Sequence, residues 1–325
     1  MALFENQVLE PFKDVSKNGK DRKWRKRKLS NIELGDILDD LEYKIAERVL
    51  MCAEVLKFQE QADGTNKLYQ TYFCKNKLCP ICNWRRSMKY AYQAEQVINQ
   101  AVERYPKGRF LFLTLTVKNV SGKELNKSIS EMGRAFNRLM KYKKVDKNIL
   151  GYLRATEVTY SNERNDYHPH LHVLLFVRPS YFKGGNYISQ EEWTNLWVKA
   201  MKLDYTPIVD IQAVKDKNGQ GLKKAILETA KYPVKPFDIF KDDDNNVIVL
   251  DYHTKKRVVD DMLNGLYRKR QIGFGKLFKD IKKELELDDI EDGDLIQTGE
   301  EKDAESTGKE IVAVWNWQRM NYFVK

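Results

Sequence analysis

The sequence predicts an α+β fold with an antiparallel sheet, and three observations lead there. Apolar residues alternate with period two in several short runs of the middle third, the pattern of half-buried strands. Runs with helical spacing separate those strands. The 42 % apolar content fills a packed core, yet no run reaches the roughly 18 apolar residues that a membrane span needs.

Taken in order, residues 17–28 (KNGKDRKWRKRK) form a basic arm in which Trp24 offers a stacking surface. Residues 41–58 have helical spacing, a cysteine-rich stretch follows, and a helix is expected over 84–105. Residues 109–118 (RFLFLTLTVK) read as a strand and 123–141 as a helix. Residues 150–160 and 168–177 read as two strands joined by a polar turn. A helix at 190–201, a strand at 205–214 and a helix at 222–231 complete the series. The order β-α-β-β-α-β plus one helix is the split βαβ, or ferredoxin-like, plan. In 168–177 Leu171, Val173, Leu175 and Val177 share one face, while His170, His172 and Phe176 share the other. The aliphatic face is expected to carry the helices and the other to be free for chemistry. Past 238 the pattern weakens to a short VIVLDY strand, a basic helix around Tyr267, an acidic segment and a final IVAVWNWQRM. Four segments result: a basic arm (1–40), a cysteine-rich module (41–106), a catalytic domain (107–238) and a C-terminal extension (239–325).

The charge is uneven. Residues 284–305 hold eleven acids and one base, so the formal +10 of the chain conceals about +20 on the remainder. Such an excess attracts a polyanion, because each neutralised phosphate releases counterions; nucleic acid is the expected partner. The first residues lack a basic-then-apolar leader pattern, so a cytoplasmic location without membrane contact is expected.

Three of the four histidines fall within five residues, His168, His170 and His172. Imidazoles at i and i+2 of a strand share a face and can share one metal ion. Glu157, on the preceding strand, is the expected third ligand. It shares that face only if it pairs opposite position 170 or 172 and not 171.

All four cysteines lie between 52 and 82. Cys79 and Cys82 form a CxxC knuckle, Cys74 lies five residues upstream, and Cys52 is a candidate fourth thiolate of a structural Zn²⁺ site. A cytosolic setting argues against disulfides, and no thioredoxin-like pattern surrounds the knuckle.

Here the chain resembles a known superfamily. Pro169-His170-Leu171-His172 matches the His-hydrophobe-His motif of HUH endonucleases, which comprise relaxases, transposases and rolling-circle initiators. The FLTLTV segment looks like their first motif, and Glu228-Thr-Ala-Lys231-Tyr232-Pro-Val-Lys235 is similar to the third motif of single-tyrosine plasmid initiators. The resemblance implies an RRM-like HUH domain that recognises a plasmid double-strand origin and nicks it at a single-stranded or hairpin site. Tyr232 would form the 5′-phosphotyrosine and transfer the strand. The residues His170, His172 and Glu157 would hold Mn²⁺ or Mg²⁺, with Lys231 and Lys235 on phosphate. Glu228 would activate water for hydrolytic termination. Host helicase and DNA polymerase would extend the 3′ end. The segment CPICNWRRS is similar to initiators too, so Arg85 and Arg86 read as phosphate-contacting residues at a helix start. Self-association is left open. A relaxase or transposase, for which His168 would matter, stays as one alternative, and a non-enzymatic zinc-dependent DNA-binding regulator as another.

Overall fold

A computed structural model describes residues 10–215, 220–230, 250–299 and 306–325. In chain order these form α1 (Trp24–Asp40), α2 (Ala46–Leu50), β1 (Val55–Gln61), β2 (Asn66–Gln70), α3 (Pro80–Arg104), β3 (Arg109–Thr116) and α4 (Gly122–Leu139). There follow α5 (Lys143–Asp146), β4 (Ile149–Ser161), β5 (Asp166–Val177), α6 (Gln190–Met201), β6 (Val209–Ala213) and α7 (Gln220–Ala230). Last come α8 (Tyr252–Gly265), β7 (Ile272–Lys276), α9 (Leu277–Glu284), β8 (Ser306–Asn316) and β9 (Asn321–Val324). No helix among the described residues is long and apolar enough to cross a membrane.

The chain forms two compact units, Met1–Arg85 with Asp294–Lys325, and Arg86–Gly293, which run across the four segments read from the sequence. The first unit holds an antiparallel sheet in the order β2-β1-β8-β9. Helix α1 packs through Leu34, Ile37 and Leu38, all fully buried. Two expectations are corrected here. The basic run does not stay an arm, because Trp24 starts α1, is 4 % exposed and donates its indole N–H to Asp14 at 2.7 Å. A buried ring cannot serve as a stacking platform for bases. Residues 41–58 are not one helix either: α2 ends at Leu50, and from Val55 the chain pairs with β8. Alternation in VLKFQEQ suits that strand as well as a helix, and a long-range partner decided between them.

In the second unit the sheet runs β6-β3-β5-β4-β7, antiparallel throughout. This is the split arrangement expected from the element order: β5 lies between β3 and β4, the strands that α4 connects, and β3 lies between β5 and β6, the strands that α6 connects. Glu124 anchors the start of α4, its carboxylate accepting from the Ser121 N–H at 3.1 Å and hydroxyl at 2.7 Å. The Leu171-to-Val177 face packs against Met132, Ala135 and Phe136 of α4 and Trp193 and Trp197 of α6. The other face is not bare, as the sequence suggested. Leu174 and Phe176 on it are covered by Ala94, Val97 and Ile98 of α3, Ala225 and Ile226 of α7, and Phe278 and Ile281 of α9. Helices thus cover one end of that face, and the histidines stand at the other. β7 was not anticipated; its two glycines weaken the strand pattern, and it adds as an edge beside β4.

Candidate metal and nucleic-acid sites

The site is assembled by strand register. The chain reverses after Ser161, and Glu157 pairs directly with His170 while Ala155 pairs with His172. That meets the parity requirement, so the carboxylate and both imidazoles share a face. Glu157 Oε2 lies 3.4 Å from His170 Nε2 and 3.1 Å from His172 Nε2, and the two Nε2 atoms are 3.1 Å apart. Ligand atoms about 2.1 Å from one ion at adjacent octahedral or tetrahedral positions stand about 3.0–3.4 Å apart. The spacing fits.

Hydrogen bonds behind the rings explain their orientation. His170 Nδ1 lies 3.2 Å from the His168 carbonyl, which can only accept, so this nitrogen carries the proton and Nε2 presents its lone pair. His172 Nδ1 lies 3.2 Å from Thr114 Oγ1, on the strand opposite. A carboxylate oxygen and two imidazole nitrogens converging in this way repel one another unless a proton or cation lies among them. Glu157 and His170 are 6 % and 9 % exposed, which raises the cost of leaving them uncompensated. His168 stays outside the group formed by Glu157, His170 and His172. Burial, then the neighbouring His170 and Arg164, hold its pKa below the ordinary histidine range.

Glu228 is partly buried on α7, the helix whose Ala225 and Ile226 pack on the same sheet face. Tyr232, Lys231 and Lys235 lie outside the described residues.

The four cysteines come together in the first unit. Their sulfurs approach at 3.6 Å (Cys52 to Cys82), 3.7 Å (Cys74 to Cys82) and 3.7 Å (Cys79 to Cys52). Tetrahedral zinc with bonds of about 2.3 Å requires about 3.8 Å between sulfurs, so this donor set fits Zn²⁺, and Cys52 belongs to it. Hydrogen bonds from the other three thiols push Cys74 well below the ordinary thiol range, whereas burial raises Cys52 and Cys79. The fully buried Lys28 ammonium donates to the Cys52 carbonyl at 2.8 Å, a cation beside the cluster that the sequence did not single out.

Arg85 and Arg86 require a correction. They are 1 % and 2 % exposed. Arg85 donates through Nε to the Leu295 carbonyl at 2.8 Å and through a terminal nitrogen to Ile296, and Arg86 Nε donates to the Glu291 carbonyl at 3.3 Å. Lys89 pairs with Asp288 at 2.6 Å. These cations fasten the acidic segment to the protein, which removes Arg85 and Arg86 from the candidate DNA contacts.

Comparison with known proteins places this geometry in context. Residues 65–323 match the Replication protein family. The chain belongs to that family. It is 54 % identical to "Protein rep" of Streptococcus pneumoniae serotype 2 (strain D39 / NCTC 7466) over 100 % of this chain and 98 % of that one. It is 47 % identical to "Protein rep" of Lentilactobacillus hilgardii over 96 % of this chain and 98 % of the relative. A "Replication protein" of Staphylococcus aureus is 48 % identical, and 73 % of this chain spans all of it. No solved structure matches.

Proposed function

We propose that this replication protein initiates plasmid rolling-circle replication by nicking origin DNA at a metal-assisted HUH site. The observation that carries the reading is the convergence of Glu157, His170 and His172 on the sheet face against which α7 packs. In the sequence, Tyr232 follows α7 by two residues.

The Tyr232 phenolate oxygen attacks the scissile phosphorus. An O–P bond to the phenol forms, the bond to the 3′ oxygen breaks, and that oxygen takes a proton to leave a free 3′-hydroxyl. Because the phosphotyrosine conserves the bond energy, strand transfer can reverse the step. A divalent ion, Mn²⁺ or Mg²⁺, held by Glu157, His170 and His172 supplies Lewis-acid polarisation of the phosphate. Lys231 and Lys235 contact phosphate and favour the phenolate. Glu228 takes a proton from water at the close of the round, so that hydrolysis rather than a second transfer ends it. The free 3′ end then passes to host helicase and DNA polymerase in the cytoplasm. Cys52, Cys74, Cys79 and Cys82 hold a structural Zn²⁺.

The test is a denaturing gel of a 5′-labelled and a 3′-labelled nick-site oligonucleotide with Mn²⁺, Mg²⁺ or chelator. A protein-linked 3′ fragment that forms only with metal, and is lost in Tyr232→Phe and in the double variant His170→Ala/His172→Ala, is the expected result. An adduct that survives Tyr232→Phe would exclude this tyrosine as the nucleophile.

A further inference from the structure

The outer edge of the second unit's sheet, where Ile272 pairs with Ala155 and Ala155 with His172, carries a cavity that the mechanism does not use. Its volume is about 520 Å³, and it lies between β7 and α9. Lys279, Lys282 and Lys283, at i, i+3 and i+4 of α9, share a helix face and line it together with Arg270. Lys279 and Lys283 are exposed and have no ion-pair partner among the described residues. The Lys282 ammonium stands 5.2 Å from the centre of the Phe274 ring, a second lining residue.

The two acids of the lining are engaged locally. The Glu291 carboxylate accepts from the backbone N–H groups of Gln271 at 2.7 Å and Ile272 at 3.4 Å. Asp289 accepts from the N–H groups of Glu291 at 2.8 Å and Asp292 at 3.2 Å, and its other oxygen pairs with Arg270. The loop leading into β7 is basic as well. Tyr267 is 61 % exposed, and the Arg268 guanidinium lies 5.2 Å from its ring centre. Asn126 holds that loop in place, its side-chain N–H₂ donating to the carbonyls of Asn264 at 2.9 Å, Gly265 at 3.2 Å and Tyr267 at 3.2 Å.

We infer that this groove, from Arg270 to Lys283, is a second DNA contact that grips the phosphodiester backbone beside the nick, with Asp289 as a built-in competitor at its Arg270 end. A solvated helix face would also be basic, but it would not surround a cavity with four cations whose acidic neighbours are already committed. The net charge favours the same occupant. Arg86–Gly293 holds 37 of the 57 basic residues against 28 of the 47 acidic ones, whereas the other unit is nearly neutral. The inference rests on the protein's acting on DNA.

The test measures binding of a labelled duplex by the full-length protein in chelator, over a series of salt concentrations. Each phosphate that the protein ceases to neutralise lowers the slope of log K against log salt by about 0.9. Lys279→Gln/Lys283→Gln changes two exposed side chains and is expected to reduce the slope by about 2, with binding roughly tenfold weaker at physiological salt. Asp289→Asn keeps the acceptor that the backbone needs, removes the charge, and is expected to tighten binding several-fold. Unchanged slopes in the folded double variant would overturn the groove. So would displacement of the duplex by inorganic phosphate at equal phosphate concentration, which indicates a small-anion site. Adduct formation on a short nick-site oligonucleotide, run alongside, separates the two readings. If wild type and variant both form it while the slopes agree, only the groove fails; if wild type forms none, the nicking reading fails.

Discussion

His172 can offer Nε2 to a cation only when its proton sits on Nδ1, and Thr114 Oγ1 at 3.2 Å is the acceptor available to that proton. Valine at position 114 keeps the branched shape and the strand preference but removes the acceptor. Thr114→Val is therefore expected to weaken Mn²⁺ binding by about tenfold or more while melting changes little, since groups behind metal ligands typically contribute 10–100-fold in affinity. Calorimetric titration beside a melting curve checks this, and undiminished Mn²⁺ affinity would show that Thr114 does not orient the ring. Glu228 calls for a kinetic split: Glu228→Ala should leave the first nick near wild type and let the covalent adduct accumulate, read from a time course of adduct and free product. Loss of both together would mean a structural role. At this scale the sequence was legible where local periodicity sufficed. Two histidines at i and i+2 on one strand needed nothing else, and the Glu157 condition could be stated before its register was known. Arg85 and Arg86 were misread because a helix-start arginine reads alike in sequence whether it meets phosphate or a backbone carbonyl. The carbonyls that receive these two belong to residues 291–296, some two hundred positions away.

Among elements, the cysteine cluster ties together the loop after α2 (Cys52), the stretch after β2 (Cys74) and the start of α3 (Cys79, Cys82). The four thiols, all buried, would repel one another once ionised without a metal among them. Prolonged chelation is expected to release one Zn²⁺ per chain and to lower the melting temperature, and Cys74→Ser to lower metal content and stability together. A metal assay and calorimetry on the same sample decide it. A melting curve that chelation leaves unmoved would make the cluster a set of packed thiols. The four-stranded sheet of this unit was the part of the fold least legible in sequence. β1 pairs with β8 across some 250 residues, Phe58 opposite Ile311, and no local pattern announces so distant a partner. By contrast, β3 to β6 and the helices between them follow the expected order, because each strand carries its own alternation; β5 finds β4 across one turn and β3 across two connections, and only β6 reaches back across three, to β3.

At the scale of the whole molecule, the C-terminal residues supply two strands of the first unit's sheet, β8 inside it and β9 at its edge, and not a tail upon it. β8 lies between β1 and β9, with Trp315 and Tyr322 at 3 % and 1 % exposure. The Tyr322 hydroxyl donates to the Ala53 carbonyl at 2.6 Å, one residue from Cys52, and the Trp315 backbone N–H donates to the Glu54 carbonyl at 2.8 Å. Removing residues 306–325 would strip β1 of its partner along one edge and uncover the neighbourhood of Cys52. Losing two buried aromatic side chains alone costs about 3–5 kcal/mol each by the measure of large-to-alanine substitutions. That is comparable to the whole stability of a small domain. The truncated protein is therefore expected to lose zinc and to become protease-sensitive within 10–85, while Mn²⁺ binding by Glu157, His170 and His172 persists, since those residues and the strands that carry them lie in Arg86–Gly293. Zinc content, limited proteolysis and Mn²⁺ titration of one preparation test all three parts. A truncated chain that keeps its zinc and its melting temperature would show that α1 and the β1–β2 hairpin sustain the cysteine site without the strand from the far end of the chain.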